Sequence, residues 1–171
     1  MTTRTGTTAG STRGQAGVAG RDLHRERIRI VMRGESLSVP TGTPLAQAIG
    51  TLQDGRAECL LITTDGTLAG ILTERDILMK VLGHDVDMAA PVDDFMTASP
   101  DTMTPDDTVG EALALMDRGG YRHVPLVDAQ GRPAGVLRQQ DVLAYLAEAF
   151  PEEILNLPPR PHQRMAGADG A

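Results

Sequence analysis

Apolar residues recur along the chain with the spacings that distinguish helices from strands. A stripe at i, i+3, i+4 and i+7, which is one face of a helix, is formed by Leu45, Ala48, Ile49 and Leu52. The same stripe returns 64 residues later in Val109, Ala112, Leu113 and Met116. Because glycine commonly ends helices, we expect the two helices to stop at Gly55 and Gly119.

Each predicted helix is followed by the pattern of a β-hairpin. A short apolar run comes first, CLLIT at 59–63 and HVPLVD at 123–128. A turn ending in glycine and a second apolar run follow, at 69–72 in the first copy and at 134–137 in the second. Two short strands joined by a tight turn are therefore expected in each copy.

In each copy the second strand of the hairpin leads into a closing helix, through GILTERDIL at 70–78 and GVLRQQDVL at 135–143. These helices are predicted from residue 74 to about 82 and from residue 139 to about 150. Extended segments at 36–39 and 101–104 precede the two copies, so each copy reads β-α-β-β-α. The chain thus contains an internal repeat of one supersecondary unit.

The repeat predicts the fold class. A unit of about fifty residues with a half-exposed sheet is marginal alone, because a small domain buries too little surface. Two copies packed sheet to sheet through a pseudo-two-fold axis bury what one copy cannot. The sequence therefore predicts an α+β fold of two such repeats, with an aliphatic core that includes Met79, Met88, Met96, Met103 and Met116.

Cysteine content and hydropathy narrow the class of protein. Cys59 is the only cysteine among 171 residues, which excludes an intramolecular disulfide and a thiolate metal cage. No apolar run approaches the roughly eighteen residues of a membrane span, so no membrane partner is expected. We expect a cytoplasmic protein. The histidines are too scattered to predict a metal site: His24, His84, His123 and His162.

Charge is distributed unevenly along the chain. Residues 1–33 hold seven arginines against Asp22 and Glu26, a net charge of +5, which leaves −12 for the rest of a chain whose total is −7. An acidic folded portion argues against nucleic acid as a partner, because phosphate binding needs a clustered basic face. Residues 1–22 lack hydrophobic periodicity and predict a disordered basic arm.

The repeat resembles a known family, the paired cystathionine-β-synthase (CBS) domain or Bateman module. The residues that carry the resemblance are GILTERD at 70–76, the linker DFMTASPDTMTPDDTV at 94–109, RGGYRHVPLVD at 118–128 and GVLRQQD at 135–141. It implies a first CBS domain at 31–88, a second at 92–150 and a partly disordered C-terminal extension at 151–171.

The resemblance also implies a function. Members of this family are regulatory or sensor modules without catalysis that form dimers. They bind adenosine-containing ligands between the two repeats. The ligand expected here is AMP, ADP or ATP, with S-adenosylmethionine or NAD as further possibilities, and no cofactor is required. A regulated partner protein is implied, but the sequence does not identify it.

Thr73 and Asp76 allow two interpretations from local chemistry alone. They lie at the predicted start of a helix, where unpaired N–H groups and the helix dipole favour anions and hydroxyls. Asp76 could accept hydrogen bonds from a ribose diol while Thr73 adds a hydroxyl contact. Threonine followed three residues later by an acid is equally the sequence of a capping box, which needs no ligand.

Carried over by motif, the resemblance implies one intact site and one impaired site. In the first, Thr73 and Asp76 hold the ribose, and the base and phosphates meet Arg75, Thr102, Met103, Arg122, His123 and Pro125. Asp101 departs from the apolar residue expected beside the base. The second site would comprise Ser38, Val39, Glu58, Cys59, Leu61, Arg138 and Asp141. There Arg138 replaces the hydroxyl residue and Glu58 would repel phosphate.

Two functions remain open at this point. One is a non-catalytic sensor that binds an adenosine-containing ligand and signals by a conformational shift. The alternative is a ligand-independent dimerisation or protein-interaction module, in which Thr73 and Asp76 only cap a helix. An enzyme is not expected, since no nucleophile with a supporting base is recognisable in the sequence.

Overall fold

The computed structural model describes residues 25–33 and 36–149. The arm predicted at 1–22 and the extension predicted at 151–171 lie outside these residues. Within them, no helix is long and apolar enough to cross a membrane.

The first repeat has the predicted order of elements. They are β1 (Ser38–Pro40), α1 (Leu45–Asp54), β2 (Cys59–Thr64), β3 (Thr67–Thr73) and α2 (Glu74–Lys80). β1 runs parallel to β2, and β2 forms an antiparallel hairpin with β3. The turn between β2 and β3 is tight because Asp65 and Gly66 both adopt positive φ, at 50° and 80°. A two-residue strand, β4 (Thr97–Ala98), extends the sheet beside β3.

The second repeat has the same order with a reduced first strand. Its elements are α3 (Val109–Gly119), β5 (His123–Val127), β6 (Pro133–Arg138) and α4 (Gln139–Ala149). The counterpart of β1 is a single parallel bridge between Met103 and Leu126. The prediction of an α+β fold made of two such repeats is confirmed.

The two sheets meet through a small aliphatic cluster. Leu61 and Ile71 of the first repeat pack with Val136 of the second, and Cys59 lies in the same cluster. The Leu68 amide donates to the Gly131 carbonyl at 2.9 Å, so the two hairpin turns are also joined. These contacts fix the gap between the sheets in which a ligand site would lie.

Each repeat is completed by the segment that precedes the other repeat. We call residues 25–33 the first leader and residues 88–94 the second leader. Ile28 of the first leader is fully buried in the core of the second repeat, with Val109, Val124 and Leu137. Val92, 64 positions later, is fully buried in the core of the first repeat. The leaders are therefore exchanged between the repeats.

The backbone hydrogen bonds of this exchange match pair by pair. The Val109 amide donates to Glu26 and the Ile28 amide to Asp107, each at 2.9 Å. Their counterparts 64 residues away join Leu45 to Ala90 at 2.9 Å and Val92 to Thr43 at 2.8 Å. The first amides of α1 and α3 have no partner inside their own helix, and the leaders supply one.

The expectation that all five methionines named above are core residues is wrong for two of them. Met103 and Met116 are buried, whereas Met79 and Met88 are exposed. Met79 lies on the outer side of α2, where it contributes to an apolar surface rather than to the core.

Burial of Ile28 provides a test of the leader exchange. We expect Ile28→Ala to lower the free energy of unfolding by about 2–4 kcal/mol, because it leaves a cavity in the second repeat. Urea denaturation followed by circular dichroism measures this change. Ile30→Ala is the matched control, since Ile30 lies on the same 3-10 turn and is 52% exposed, and we expect it to stay within about 0.5 kcal/mol of the parent chain. Equal effects from both variants would contradict the exchange.

Candidate functional site

A cleft of about 730 Å³ lies where the two repeats meet. Its walls combine the start of α2 and the end of β3 with the residues around the start of β5 and the start of α4. Residues from both repeats therefore line one cavity: Glu58, Ile71, Thr73, Glu74, Arg75, Asp76, Thr97, Ser99, Pro100, Asp101, Gly119, Gly120, Tyr121, Arg122, His123, Pro125, Arg138, Gln139, Gln140 and Leu143.

Thr73 and Asp76 form a capping box at the start of α2. The Asp76 amide donates to the Thr73 hydroxyl oxygen at 3.3 Å, and the Thr73 amide donates to Asp76 Oδ2 at 3.0 Å. The Thr73 hydroxyl also donates to Oδ2 at 2.7 Å. The capping interpretation of this motif is thus observed directly, and both side chains still line the cleft.

The second carboxylate oxygen of Asp76 is held by two groups from outside the motif. Lys80 Nζ lies 2.8 Å from Oδ1, and the Thr97 hydroxyl donates to the same oxygen at 3.3 Å. Burial by itself raises the pKa of this carboxyl, but the hydrogen bonds from Lys80 and Thr73 and the Lys80 charge together hold the pKa below its usual value. Asp76 is therefore a buried, ionised acceptor.

The opposite wall begins where β5 starts. His123 is largely buried, and its Nε2 lies 2.8 Å from Oε2 of Glu58, a residue of the other repeat. Arg122 is exposed at the rim, and the Gln139 amide donates to the Arg122 carbonyl at 2.8 Å. The cleft is therefore bridged by a contact between Glu58 and His123.

An aromatic side chain forms a further part of the lining. The Tyr121 hydroxyl donates to Asp101 Oδ2 at 2.8 Å. That hydrogen bond and the Asp101 charge raise the pKa of the Tyr121 hydroxyl. Its ring lies against Gly119, where a side chain would overlap it. Asp101, the departure from the family pattern, thus anchors a tyrosine beside the cavity.

The residues predicted for the first site are only partly brought together. Thr73, Asp76, Arg75, Arg122, His123 and Pro125 line the cleft. Thr102 is exposed and lies outside its lining, and Met103 is buried in the second repeat's core. Both belong to the backbone that pairs with β5 through Met103, which explains their position.

The residues predicted for the second site lie only partly in this cleft. Glu58 and Arg138 line the same cleft as the first set. Ser38 and Val39 lie in β1, Leu61 is buried between the sheets, and Asp141 is buried near the start of α4. Cys59 lies in the inter-sheet cluster; burial raises the pKa of its thiol to about 11, although Arg138 nearby lowers it. A thiol in this environment stays protonated and unreactive at neutral pH.

Several lining residues were not predicted from the sequence, and Thr97 and Tyr121 are two of them that form side-chain hydrogen bonds. Thr97 reaches Asp76 from β4, a two-residue strand that no periodicity indicates. Tyr121 directly precedes the RHVP motif, and its aromatic character in a chain with two tyrosines and two phenylalanines is the signal that could have found it. Over the described ranges, 25–33 and 36–149, no group of three or more His, Cys, Asp or Glu side chains is placed to hold a metal ion.

Comparison with known proteins identifies the family. A family model for the CBS domain matches residues 26–83 and 92–148. The chain belongs to the CBS domain family and carries two such domains, as the sequence patterns indicated.

Curated relatives agree with this membership. The CBS domain-containing protein CBSCBSPB5 of Arabidopsis thaliana is 32% identical over 120 residues, which are 69% of this chain and 22% of the plant protein. A 17.7 kDa protein of Acidianus ambivalens is 32% identical over 89 residues, 52% of this chain and 53% of the archaeal one. The chain thus spans only part of the length of these relatives.

Solved structures share the fold. A CBS-domain containing protein of Agrobacterium tumefaciens superposes with a TM-score of 0.63 at 26% identity, over 70% of this chain and 98% of that one. A CBS domain protein of Pyrobaculum aerophilum, complexed with AMP, gives a TM-score of 0.64 at 24% identity, over 71% and 98% of the two chains. The CBS domain pair of MJ0100, complexed with 5′-methylthioadenosine and S-adenosyl-L-methionine, gives 0.64 at 21% identity, over 70% and 98%.

The lowered pKa of Asp76 makes its contribution to stability depend on pH. A carboxyl whose pKa falls on folding stabilises the protein above its ordinary value of 3.8, and this contribution is lost as the pH falls through the folded-state pKa. We expect Asp76→Asn to lower the free energy of unfolding by about 1–3 kcal/mol at pH 7, since hydrogen bonds to a charged group are lost. Below pH 3.8 the difference should shrink.

Urea denaturation of both chains between pH 7 and pH 3 measures this dependence. Asp85→Asn, which removes an exposed carboxylate, controls for the change in net charge. A difference between the parent chain and Asp76→Asn that stays constant over the whole range would contradict the assignment of Asp76 as a stabilising, ionised group.

Proposed function

We propose that this chain is a non-catalytic sensor module that binds an adenosine-containing ligand in the cleft between its two CBS domains. The observation that carries the proposal is the composition of the cleft. Thr73 and Asp76 of the first repeat face Arg122 and His123 of the second across one cavity. A ligand there would touch both repeats at once.

The chemistry of the two walls suits the two ends of a nucleotide. Asp76 is ionised, and the longest hydrogen bond that its carboxylate accepts is the 3.3 Å contact with Thr97. A ribose hydroxyl can replace that contact without disturbing the capping box on the other oxygen. Arg75 and Arg122 can place guanidinium groups near phosphates, which they recognise well.

Related structures support the ligand class. The CBS domain protein of Pyrobaculum aerophilum is complexed with AMP, and the MJ0100 pair is complexed with 5′-methylthioadenosine and S-adenosylmethionine. All three ligands contain adenosine. For this chain we propose AMP, ADP or ATP as the ligand, with S-adenosylmethionine and NAD as further members of the same class.

Signalling would follow from the position of the ligand. A molecule that bridges both repeats stabilises one mutual arrangement by its differential affinity for that arrangement. In our proposal a partner protein reads this arrangement, and no covalent bond is made or broken. The buried, free thiol of Cys59 is consistent with action in a reducing compartment such as the cytoplasm.

A second candidate function is a ligand-independent interaction module. The observation in its favour is that Thr73 and Asp76 satisfy one another in a complete capping box without any ligand. Under this alternative, the dimer or partner surface is the function and the cleft stays empty.

Substitution of the two equivalent aspartates separates these functions. Calorimetric titration of the parent chain with AMP, ADP, ATP, S-adenosylmethionine and NADH is expected to show binding of at least one ligand. Asp76→Ala should weaken that binding by at least about tenfold, because a charged acceptor is lost. Asp141→Ala, the matched control at the equivalent buried position, should change it little. Circular dichroism confirms folding of both variants.

The outcomes are distinct. Absence of binding to all five ligands at millimolar concentration would overturn the sensor proposal and leave the interaction module. Equal losses from the two variants would show that the cleft is assigned to the wrong aspartate.

We further propose that the module forms a homodimer through exposed apolar side chains of α2 and α4, including Leu143 at the edge of the cleft. Leu78, Met79 and Leu82 are exposed in or just after α2, and Leu143 is exposed on α4. Leu78 and Leu143 occupy equivalent positions 65 residues apart. A second copy related by a two-fold axis presents the same side chains to this surface, as an isologous contact requires.

Charge placed on this surface tests the dimer. We expect Leu78→Glu and Leu143→Glu each to shift the protein from dimer to monomer in sedimentation equilibrium, because a buried unpaired carboxylate opposes association. Ile30→Glu is the control, since Ile30 is also exposed but lies on the first leader. A parent chain that sediments as a monomer would contradict the proposal.

A further inference from the structure

Glu58 lines the cleft and contacts His123 of the other repeat. Its Oε2 is 2.8 Å from His123 Nε2, and this contact joins residues 65 positions apart across the two repeats. The His123 side chain is 14% exposed and that of Glu58 is 45% exposed, so the imidazole is largely enclosed while the carboxylate borders the cavity. The imidazole nitrogen that faces the cleft is therefore already engaged.

The equivalent position in the other repeat carries the opposite charge. Glu58 precedes β2 as Arg122 precedes β5, 64 residues later. Both side chains line the one cleft, which therefore holds a carboxylate as well as the guanidinium group that would receive a phosphate.

The charged lining of the cleft is close to balanced. Its carboxylates belong to Glu58, Glu74, Asp76 and Asp101, and its guanidinium groups to Arg75, Arg122 and Arg138. Asp76 is neutralised by Lys80, and Asp101 accepts a hydrogen bond from Tyr121. Glu58 is thus the lining acid that contacts His123, one of the residues expected to meet the phosphates.

We infer that Glu58 is a specificity-determining residue that disfavours phosphate groups on the bound ligand. The carboxylate repels a 5′-phosphate and occupies the His123 nitrogen that would otherwise donate to it. A ligand without phosphate leaves the contact between Glu58 and His123 intact. The inference rests on the proposed binding of an adenosine-containing ligand. It changes the ranking within that class, because it places ligands without a 5′-phosphate, such as S-adenosylmethionine, ahead of AMP, ADP and ATP.

The contribution of the phosphate can be isolated by comparing adenosine with AMP. Isothermal titration at one pH and ionic strength gives the ratio of the adenosine dissociation constant to the AMP dissociation constant. We expect Glu58→Gln to raise this ratio by about tenfold, because one negative charge near the phosphate is removed while the side-chain shape is kept. The affinity for adenosine itself should stay within about threefold.

Glu74→Gln is the matched control. Glu74 also lines the cleft and also loses one negative charge, but it is exposed at the first position of α2. Because Glu74→Gln keeps the contact between Glu58 and His123, we expect the ratio to change by less than about threefold. Glu58→Ala provides a second substitution with the same expected direction, and circular dichroism establishes that each variant is folded.

Each result decides one question. A ratio that is unchanged in both folded Glu58 variants, or that rises equally in Glu74→Gln, overturns the specificity role while leaving the sensor function intact. If the parent chain binds none of adenosine, AMP, ADP, ATP, S-adenosylmethionine and NADH, the proposed function and this inference are overturned together.

Discussion

The exchange of leader segments is the interaction on which the rest of the structure depends. Ile28 completes the core of the second repeat, and Val92 completes the core of the first. The same segments supply hydrogen-bond acceptors for the first amides of α3 and α1, which their own helices leave unpaired. Each repeat needs a segment from outside it to complete its hydrophobic core, so the two repeats depend on one another.

This dependence determines the geometry of the cleft. Once the sheets are held together at Leu61, Ile71 and Val136, the starts of α2 and β5 are brought to a common cavity. Side chains predicted for two separate sites then share it. The cleft is neither purely basic nor purely acidic, and its character depends on the contact between Glu58 and His123 more than on any single motif.

Most of the fold could be predicted because its elements carry periodic patterns. The apolar stripes of α1 and α3 and the two hairpin patterns are strong local signals. Each pattern occurs twice in the same order, so the assignment of an element in one repeat supports the assignment in the other. The leaders and β4 carry no such signal: Ile28 and Thr97 lie in two- or three-residue elements whose partners are distant in sequence. Within the cleft, the spacing of Thr73 and Asp76 along the sequence predicted the capping box. Glu58 and Arg138 line the same cleft because of the way the two sheets pack, which the local sequence does not indicate.

The leader exchange also has a consequence for synthesis. Residues 25–33 leave the ribosome before any other described part of the chain, yet the core that receives Ile28 extends to Ala149. The first repeat waits in turn for Val92. The first core therefore stays open until Val92 is made and the second until Ala149 is made, so apolar surface of the second repeat is exposed longest on the nascent chain. Folding of the second repeat thus depends on a segment that is synthesised before the first repeat.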